Sequence, residues 1–172
     1  FVAADGNDGT RELVRDWAGN TLPIHVLGGV ERRGKGRGIR LSVEQAKGQF
    51  IGYMDADNKT PITELDKVLP ILEEGAPVVI GSRAASDAQI ENPAPLYRRM
   101  GSMGFRYAMW SITGLVGIRD TQCGFKFFEN SAAKELFARQ KVDSYMFDVE
   151  ILCWAKKLGM PIRQVPVRWR AD

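Results

Sequence analysis

Over residues 1–83 the chain alternates four times between short apolar β-type runs and segments of helical periodicity. That pattern restricts it to an α/β architecture, with a mostly parallel sheet flanked by helices. Residues 1–4 read as the end of a strand, and Asp5-Gly6-Asn7-Asp8-Gly9 as a turn rich in residues that tolerate positive φ. A helix over 10–18 sets Leu13, Val14 and Trp17 on one side, and a strand covers 24–27. Gly34-Lys35-Gly36-Arg37-Gly38 reads as a flexible basic loop before a helix over 39–47 that Gly48 closes. A strand over 50–54 follows. The next helix starts near Pro61, carrying Leu65, Val68, Leu69 and Leu72 at helical spacing. The run at 78–83 is apolar throughout its first half, as expected of a strand covered on both faces.

Ligands of such sheets gather beyond the carboxyl ends of the strands, where Asp5, Asp55, Asp57 and Arg83 all fall. The sharpest of these ends is Tyr53-Met54-Asp55-Ala56-Asp57, an apolar run broken by two acids two positions apart. Strand side chains alternate faces, so an extended backbone puts both carboxylates on one side. Two hard oxygen donors there suit Mg²⁺ or Mn²⁺ carrying a phosphorylated substrate. The alternative is an Asx turn leading into a helix cap.

The second half is less regular. Residues 84–95 form a polar loop with two prolines, expected to act as a flap. An amphipathic helix over 96–115 mixes methionines and aromatics with Arg98, Arg99 and Arg106, a composition that suits core packing or a bilayer interface. A turn and strand over 120–128 precede helices at 131–139 and 146–158 and a last strand at 162–169.

A length of 172 residues suits one domain with a sizeable core. The net charge is only +3, yet Arg32, Arg33, Lys35, Arg37 and Arg40 crowd one stretch. Such a run suits an anionic partner or is simply a solvated basic loop. Nucleic acid is disfavoured as that partner, because the basic stretch lacks interleaved aromatics. Cys123 and Cys153 have neither metal nor redox spacing, as expected of reduced thiols in a cytoplasmic setting. No signal peptide, membrane-spanning run or internal repeat stands out. The chain opens on an apolar strand without an initiator methionine and reads as an internal piece of a longer protein, cut at both ends.

Several motifs in order carry a resemblance. They are Gly34-Lys35-Gly36, Asp55-Ala56-Asp57, Gly81-Ser82-Arg83, Arg119-Asp120-Thr121-Gln122-Cys123-Gly124-Phe125-Lys126, Phe147-Asp148-Val149-Glu150 and Val165-Pro166-Val167-Arg168-Trp169. Together they resemble the family 2 glycosyltransferases of GT-A fold, in the branch of dolichyl-phosphate β-glucosyltransferases and polyprenyl-phosphate glycosyltransferases. The likeness covers nearly the whole chain, with two departures. The family's first strand is missing, and Ala4 stands where the first of two aspartates is usual, with Asp5 in the second position.

The resemblance implies transfer of a hexose, glucose from UDP-glucose first among candidates, onto a polyprenyl or dolichyl phosphate at the cytoplasmic face of a membrane. Mg²⁺ or Mn²⁺ on Asp55 and Asp57 would neutralise the departing diphosphate. Asp57, Asp120 and Glu150 are then the expected catalytic acids, Asp120 and Glu150 by orienting the phosphate-binding cations or contacting sugar hydroxyls. Asp5, Lys35, Asp55, Arg83, Arg98, Arg99, Gln122 and Lys126 are the expected substrate contacts. Arginine suits the lipid phosphate because its fork matches phosphate oxygens, although a surface ion pair explains each arginine singly. Direct displacement would invert the anomeric carbon. A GDP-mannose donor, a growing saccharide as acceptor and an inactive nucleotide-binding fragment remain as alternatives.

Overall fold

The computed structural model describes residues 1–19, 21–91, 104 and 109–170. Its elements are β1 (Val2–Ala3), α1 (Thr10–Ala18), β2 (Val26–Leu27), α2 (Lys35–Gln45), β3 (Phe50–Met54), α3 (Leu65–Glu73), β4 (Val78–Ser82), β5 (Gln89–Glu91), β6 (Phe125–Glu129), α4 (Asn130–Ala138), α5 (Phe147–Lys157), β7 (Ile162–Pro166) and β8 (Arg168–Arg170). A 3₁₀ turn at Ile62–Glu64 leads into α3, and residues 109–113 are helical.

Four strands form the central sheet in the order β3-β6-β4-β7. β4 and β7 run parallel, whereas β6 lies antiparallel between β3 and β4. Two further parallel pairs, β1 with β2 and β5 with β8, stand as separate small sheets. The α/β expectation therefore holds, but the central sheet is mixed. Alternating strand and helix periodicity says nothing about a later strand inserting between two earlier ones.

Both faces of this sheet are covered, which is why all five residues of β4 are buried. Side-chain alternation sends Ile51, Val78, Ile80 and Phe128 toward α2, α4 and α5, into a core with Leu136, Phe137, Phe147 and Ile151. Val79, Phe125, Phe127 and Val165 face the other way, against Val68 and Leu72 of α3. Each fully buried phenylalanine stabilises by roughly 2–3 kcal/mol relative to exposure. Among the phenylalanines on strand β6, Phe125 and Phe128 reach 0% exposure.

Three expectations about elements need correction. α2 begins at Lys35, so the glycine-rich segment is the first turns of a helix and not a flexible loop. Tertiary contacts override glycine's poor helix propensity here. The Gly36 N–H donates to the Asp143 carbonyl at 2.9 Å, and a Cβ on Gly36 would lie 2.7 Å from Phe147 Cβ. The single strand expected at 162–169 is broken: β7 pairs with β4, and β8 beyond Val167 leaves to pair with β5. On α1 the apolar side is turned outward, with Leu13 at 70% and Trp17 at 72% exposure. In the expected 84–95 flap, residues 89–91 are a strand and 92–95 lie outside the described residues. Of the expected 96–115 helix, 109–113 is helical and most of the remainder lies outside them.

Candidate active site

β3 delivers Asp55 and Asp57 at its carboxyl end. The ladder toward β6 continues one step beyond the strand, because Asp55 N–H donates to the Gly124 carbonyl at 2.9 Å. So close an approach needs glycine: a Cβ at position 124 would sit 2.1 Å from Asp55 Oδ2. The Asp55 carboxylate is ion-paired with the Lys35 ammonium from the first turn of α2. That ammonium also stands 5.9 Å from the centre of the Phe147 ring. Asp57 is exposed, and its Oδ1 accepts the Lys59 N–H at 3.1 Å. The Asx turn is therefore present, and it coexists with a cleft. Asp55 and Asp57 line a cavity of about 590 Å³ with Lys35, Ala56, Gln122, Tyr145 and Asp148. The same two acids border a narrower recess whose walls include Lys59, Arg83, Cys123 and Trp169.

Arg83, just past β4, is held rigidly. Its Nε and Nη2 donate to Asp120 Oδ2 and Oδ1 at 2.7 and 2.9 Å, and its backbone N–H donates to Oδ2 at 3.0 Å. The guanidinium carbon lies 5.4 Å from the Trp169 ring centre, a stacking arrangement typical of arginine. Burial alone would push the Asp120 carboxyl up, but its bonds to Arg83 outweigh that and hold it below the usual range. The same bidentate bond raises the Arg83 guanidinium further above its already high value. Asp120 thus takes the cation-orienting role that the resemblance implied, as a positioning residue for Arg83, and is not a catalytic acid lining the large cleft.

Lys126 also departs from expectation. It sits on the core-facing side of β6 at 0% exposure. Its Nζ donates to Asp148 Oδ1 at 2.5 Å and to the Cys123 carbonyl at 2.6 Å. Tyr53 Oη donates to the same Asp148 oxygen at 2.5 Å. Burial, then the Asp148 charge, raises the Tyr53 phenol well above its ordinary value, so tyrosine remains the proton donor in this contact. A buried lysine cannot reach a bound substrate here; it fixes Asp148, which does line the cleft. Burial likewise pushes the Cys123 thiol up to about 11, an inert structural cysteine.

Glu150 is elsewhere. Its carboxylate accepts the backbone N–H groups of Lys141 and Val142 at 2.8–3.1 Å. Residues two apart on a helix diverge by roughly 200°, since each step turns about 100°. Only one acid of Phe147-Asp148-Val149-Glu150 can face the cleft, and it is Asp148. Helical geometry was the signal available for choosing between them.

Asp5 stands on a second cavity, of about 450 Å³, with Arg33, Arg37 and Leu41 among its walls. Its Oδ1 accepts from Gly29 N–H at 3.1 Å and its Oδ2 from Arg33 N–H at 2.9 Å. The Arg33 amide above all lowers its carboxyl. Arg11 completes this loop, one Nη1 donating to the carbonyls of Ala4, Gly6 and Gly29 at 2.7–3.0 Å. Arg11 and Tyr145 gave no sequence signal of their own. Gln122 lines the main cleft and donates to Met146 Sδ at 3.4 Å. Arg98 and Arg99 lie outside the described residues.

The structure therefore brings Lys35, Asp55, Asp57 and Gln122 into one cleft, with Arg83 at its adjoining recess and Asp5 in a separate cavity. Lys126, Asp120 and Glu150 are placed behind or away from it. Among the described residues no cluster of three or more His, Cys, Asp or Glu side chains forms a closed metal cage. Asp55 and Asp57 supply two oxygen donors that open on the cleft. That donor set fits a cation whose remaining ligands are phosphate oxygens and water.

Residues 1–137 match the family described as glycosyl transferase family 2. A dolichyl-phosphate beta-glucosyltransferase of Drosophila melanogaster is 36% identical over 152 residues, 85% of this chain and 46% of that protein. One of Trichomonas vaginalis is 36% identical over 98% of this chain and 52% of its own length. The Homo sapiens enzyme of the same name is 33% identical, over 85% of this chain and 47% of its own length. The chain thus spans about half the length of these relatives. Among solved structures, glucosyl-3-phosphoglycerate synthase of Mycobacterium tuberculosis in complex with Mn²⁺, UDP-glucose and phosphoglyceric acid superposes with a TM-score of 0.70 at 19% identity, covering 99% of this chain and 59% of that one. The fold is that of GT-A glycosyltransferases. With the family pattern spanning most of its length and the paired acids set at the end of β3, the chain belongs to the family 2 glycosyl transferases.

Proposed function

We propose that this chain carries the catalytic cleft of a metal-dependent, inverting glycosyltransferase moving glucose from UDP-glucose to a polyprenyl or dolichyl phosphate. The observation that carries the proposal is the convergence of Asp55, Asp57 and Lys35 on one cleft, with Arg83 fixed beside the same two acids. Three relatives named dolichyl-phosphate beta-glucosyltransferase support the acceptor and the sugar. Mg²⁺ or Mn²⁺ held by Asp55 and Asp57 would offset the negative charge that grows on the leaving diphosphate.

The chain's own residues do the rest. Lys35 holds a positive charge against Asp55 at the mouth of α2, whose first turn carries no acid. The positive end of that helix adds to the attraction for a diphosphate. Arg83, locked by Asp120 and Trp169, holds a fixed cation where a second anion would approach. This arrangement answers the central difficulty of the reaction, because two anions must meet. Asp148, fixed by Lys126 and Tyr53, presents an oriented carboxylate that can accept a hydrogen bond from a sugar hydroxyl. A phosphate monoester is largely dianionic at pH 7 and needs no strong base to attack. No helix among the described residues is long and apolar enough to cross a membrane. Work at the cytoplasmic face of a membrane would follow from the acceptor.

The test is incubation of the full-length protein with labelled UDP-glucose, Mg²⁺ and polyprenyl phosphate, followed by partition into organic solvent. Label entering the organic phase is expected, and Asp57→Ala should lower it by at least ~100-fold. Equal activity of Asp57→Ala and wild type would defeat the metal role. Label moving only from GDP-mannose would reassign the donor.

A further inference from the structure

The edge formed by helical residues 109–113, the loop to Arg119 and the C-terminal end of α5 sets exposed aliphatic side chains beside cations. Met109, Leu115 and Ile118 turn inward onto the core. Ile112 and Val116, four apart, stand outward at 81% and 74% exposure. The loop is not loose. Lys156 Nζ is hydrogen-bonded to the Gly114 carbonyl, Trp110 Nε1 donates to the Ile118 carbonyl at 2.8 Å, and Gln164 grips Gly117 and Arg119 through both ends of its amide. Two large aliphatic side chains are thus held in water by a fixed scaffold.

Charge completes the description. Among the described residues, Arg119, Lys156 and Lys157 flank this edge, and neither 109–119 nor 151–159 contains an Asp or Glu. Lys157, exposed at the end of α5, lies 4.8 Å over the Trp154 ring. Aliphatic tips with Lys156, Lys157 and Arg119 beside them, on segments that carry no acid, match an anionic lipid surface. A protein partner would more often bring charges of both signs.

The other outward apolar stripe offers the contrast. On α1, Leu13 and Trp17 are equally exposed, but Glu12 and Asp16 lie among them. Acids there would be repelled by anionic headgroups.

We infer that Ile112 and Val116, with Lys156, Lys157 and Arg119 around them, form the face on which this protein seats on an anionic bilayer. The inference rests on the lipid-phosphate reading for its purpose and extends it, because Arg119 adjoins Asp120, the partner of Arg83.

Flotation of the full chain with phosphatidylcholine vesicles, with and without phosphatidylserine, tests it. Wild type should float with the anionic vesicles and be released by salt. Ile112→Asp with Val116→Asp should lower the bound fraction at least tenfold, and Lys157→Glu alone about fivefold. Leu13→Asp with Trp17→Asp should float like wild type. Equal flotation of the Ile112/Val116 variant and wild type overturns the proposal. So does a dimer, seen by sedimentation, that this variant splits while no form floats. Transfer to a short, detergent-dissolved polyprenyl phosphate separates the two readings. Lost flotation with intact transfer bears on the face alone, whereas normal flotation without transfer in any form defeats the transferase.

Discussion

The central sheet and the β1–α1–β2 unit are held together by different means. Around β3, β6, β4 and β7 the chain buries apolar side chains on both faces. Even its cation, Lys126, is submerged beside Asp148 and Tyr53. In the β1–α1–β2 unit, Ala18 is the one buried residue of α1, and cohesion comes from polar contacts to backbone. Arg11 grips three carbonyls, and Asp5 takes two amides. The two acids of the cleft belong to the first region, and the Asp5 cavity belongs to the second. A site built on a packed sheet is rigid, and its supports are costly to remove. A site built on a backbone clamp depends on few bonds and exchanges more readily.

The largest expected effect follows from the buried lysine. Lys126→Met leaves the Asp148 carboxylate without its cation and should destabilise by about 3–5 kcal/mol in urea unfolding. Next is Arg11→Ala, which removes charge-assisted bonds to three carbonyls and should cost about 2 kcal/mol. Hydrogen exchange should localise that loss to residues 1–30, with the amides of β4 unaffected; equal acceleration in both regions would erase the contrast. Gly124→Ala forces a methyl group against Asp55 and should cost about 1–3 kcal/mol by overpacking. Transfer activity should fall with it, because Asp55 must move.

A smaller effect is one of pH. Asp120 and Glu64 both have carboxyls lowered in the fold, burial opposing and their Arg83, Lys67 and Arg168 partners prevailing. A depressed carboxyl contributes stability above its unfolded value, and that contribution is lost as pH falls through the folded one. The urea midpoint should therefore be level above about pH 5 and decline below about pH 4. In Glu64→Gln that decline should be shallower. The smallest change belongs to Leu13→Ser and Trp17→Ser, exposed on α1, which should shift stability by no more than about 0.5 kcal/mol.

The strands β3 and β4 were readable from residue pattern because each is a short apolar run bounded by turn-forming residues. So was α3, whose Leu65, Val68 and Leu72 repeat at helical spacing. The early start of α2 was not, since Lys35-Gly36-Arg37-Gly38 has glycine's low helix propensity. What makes it helical is Asp143 and Phe147, more than one hundred residues onward. In the cleft, Asp55, Asp57, Lys35 and Gln122 were readable because each stands in a short motif at an element's end. Lys126 is not legible as a core residue, for the opposite reason. Its sequence neighbourhood is that of a substrate-binding lysine, and only strand alternation on a mixed sheet turns it into the core toward Asp148. Asp120 and Arg83 each stand in a site motif, but nothing in the sequence says that they pair until the fold joins them across 37 positions.

The central claim is that Asp55 and Asp57 together hold a divalent cation that carries the sugar diphosphate. Isothermal titration of the full-length protein with UDP-glucose, with and without Mn²⁺, tests it most directly. The account predicts binding that requires Mn²⁺ and disappears in Asp57→Asn, with the thermal unfolding temperature unchanged. Binding of equal strength without the metal, or undiminished in Asp57→Asn, would contradict it.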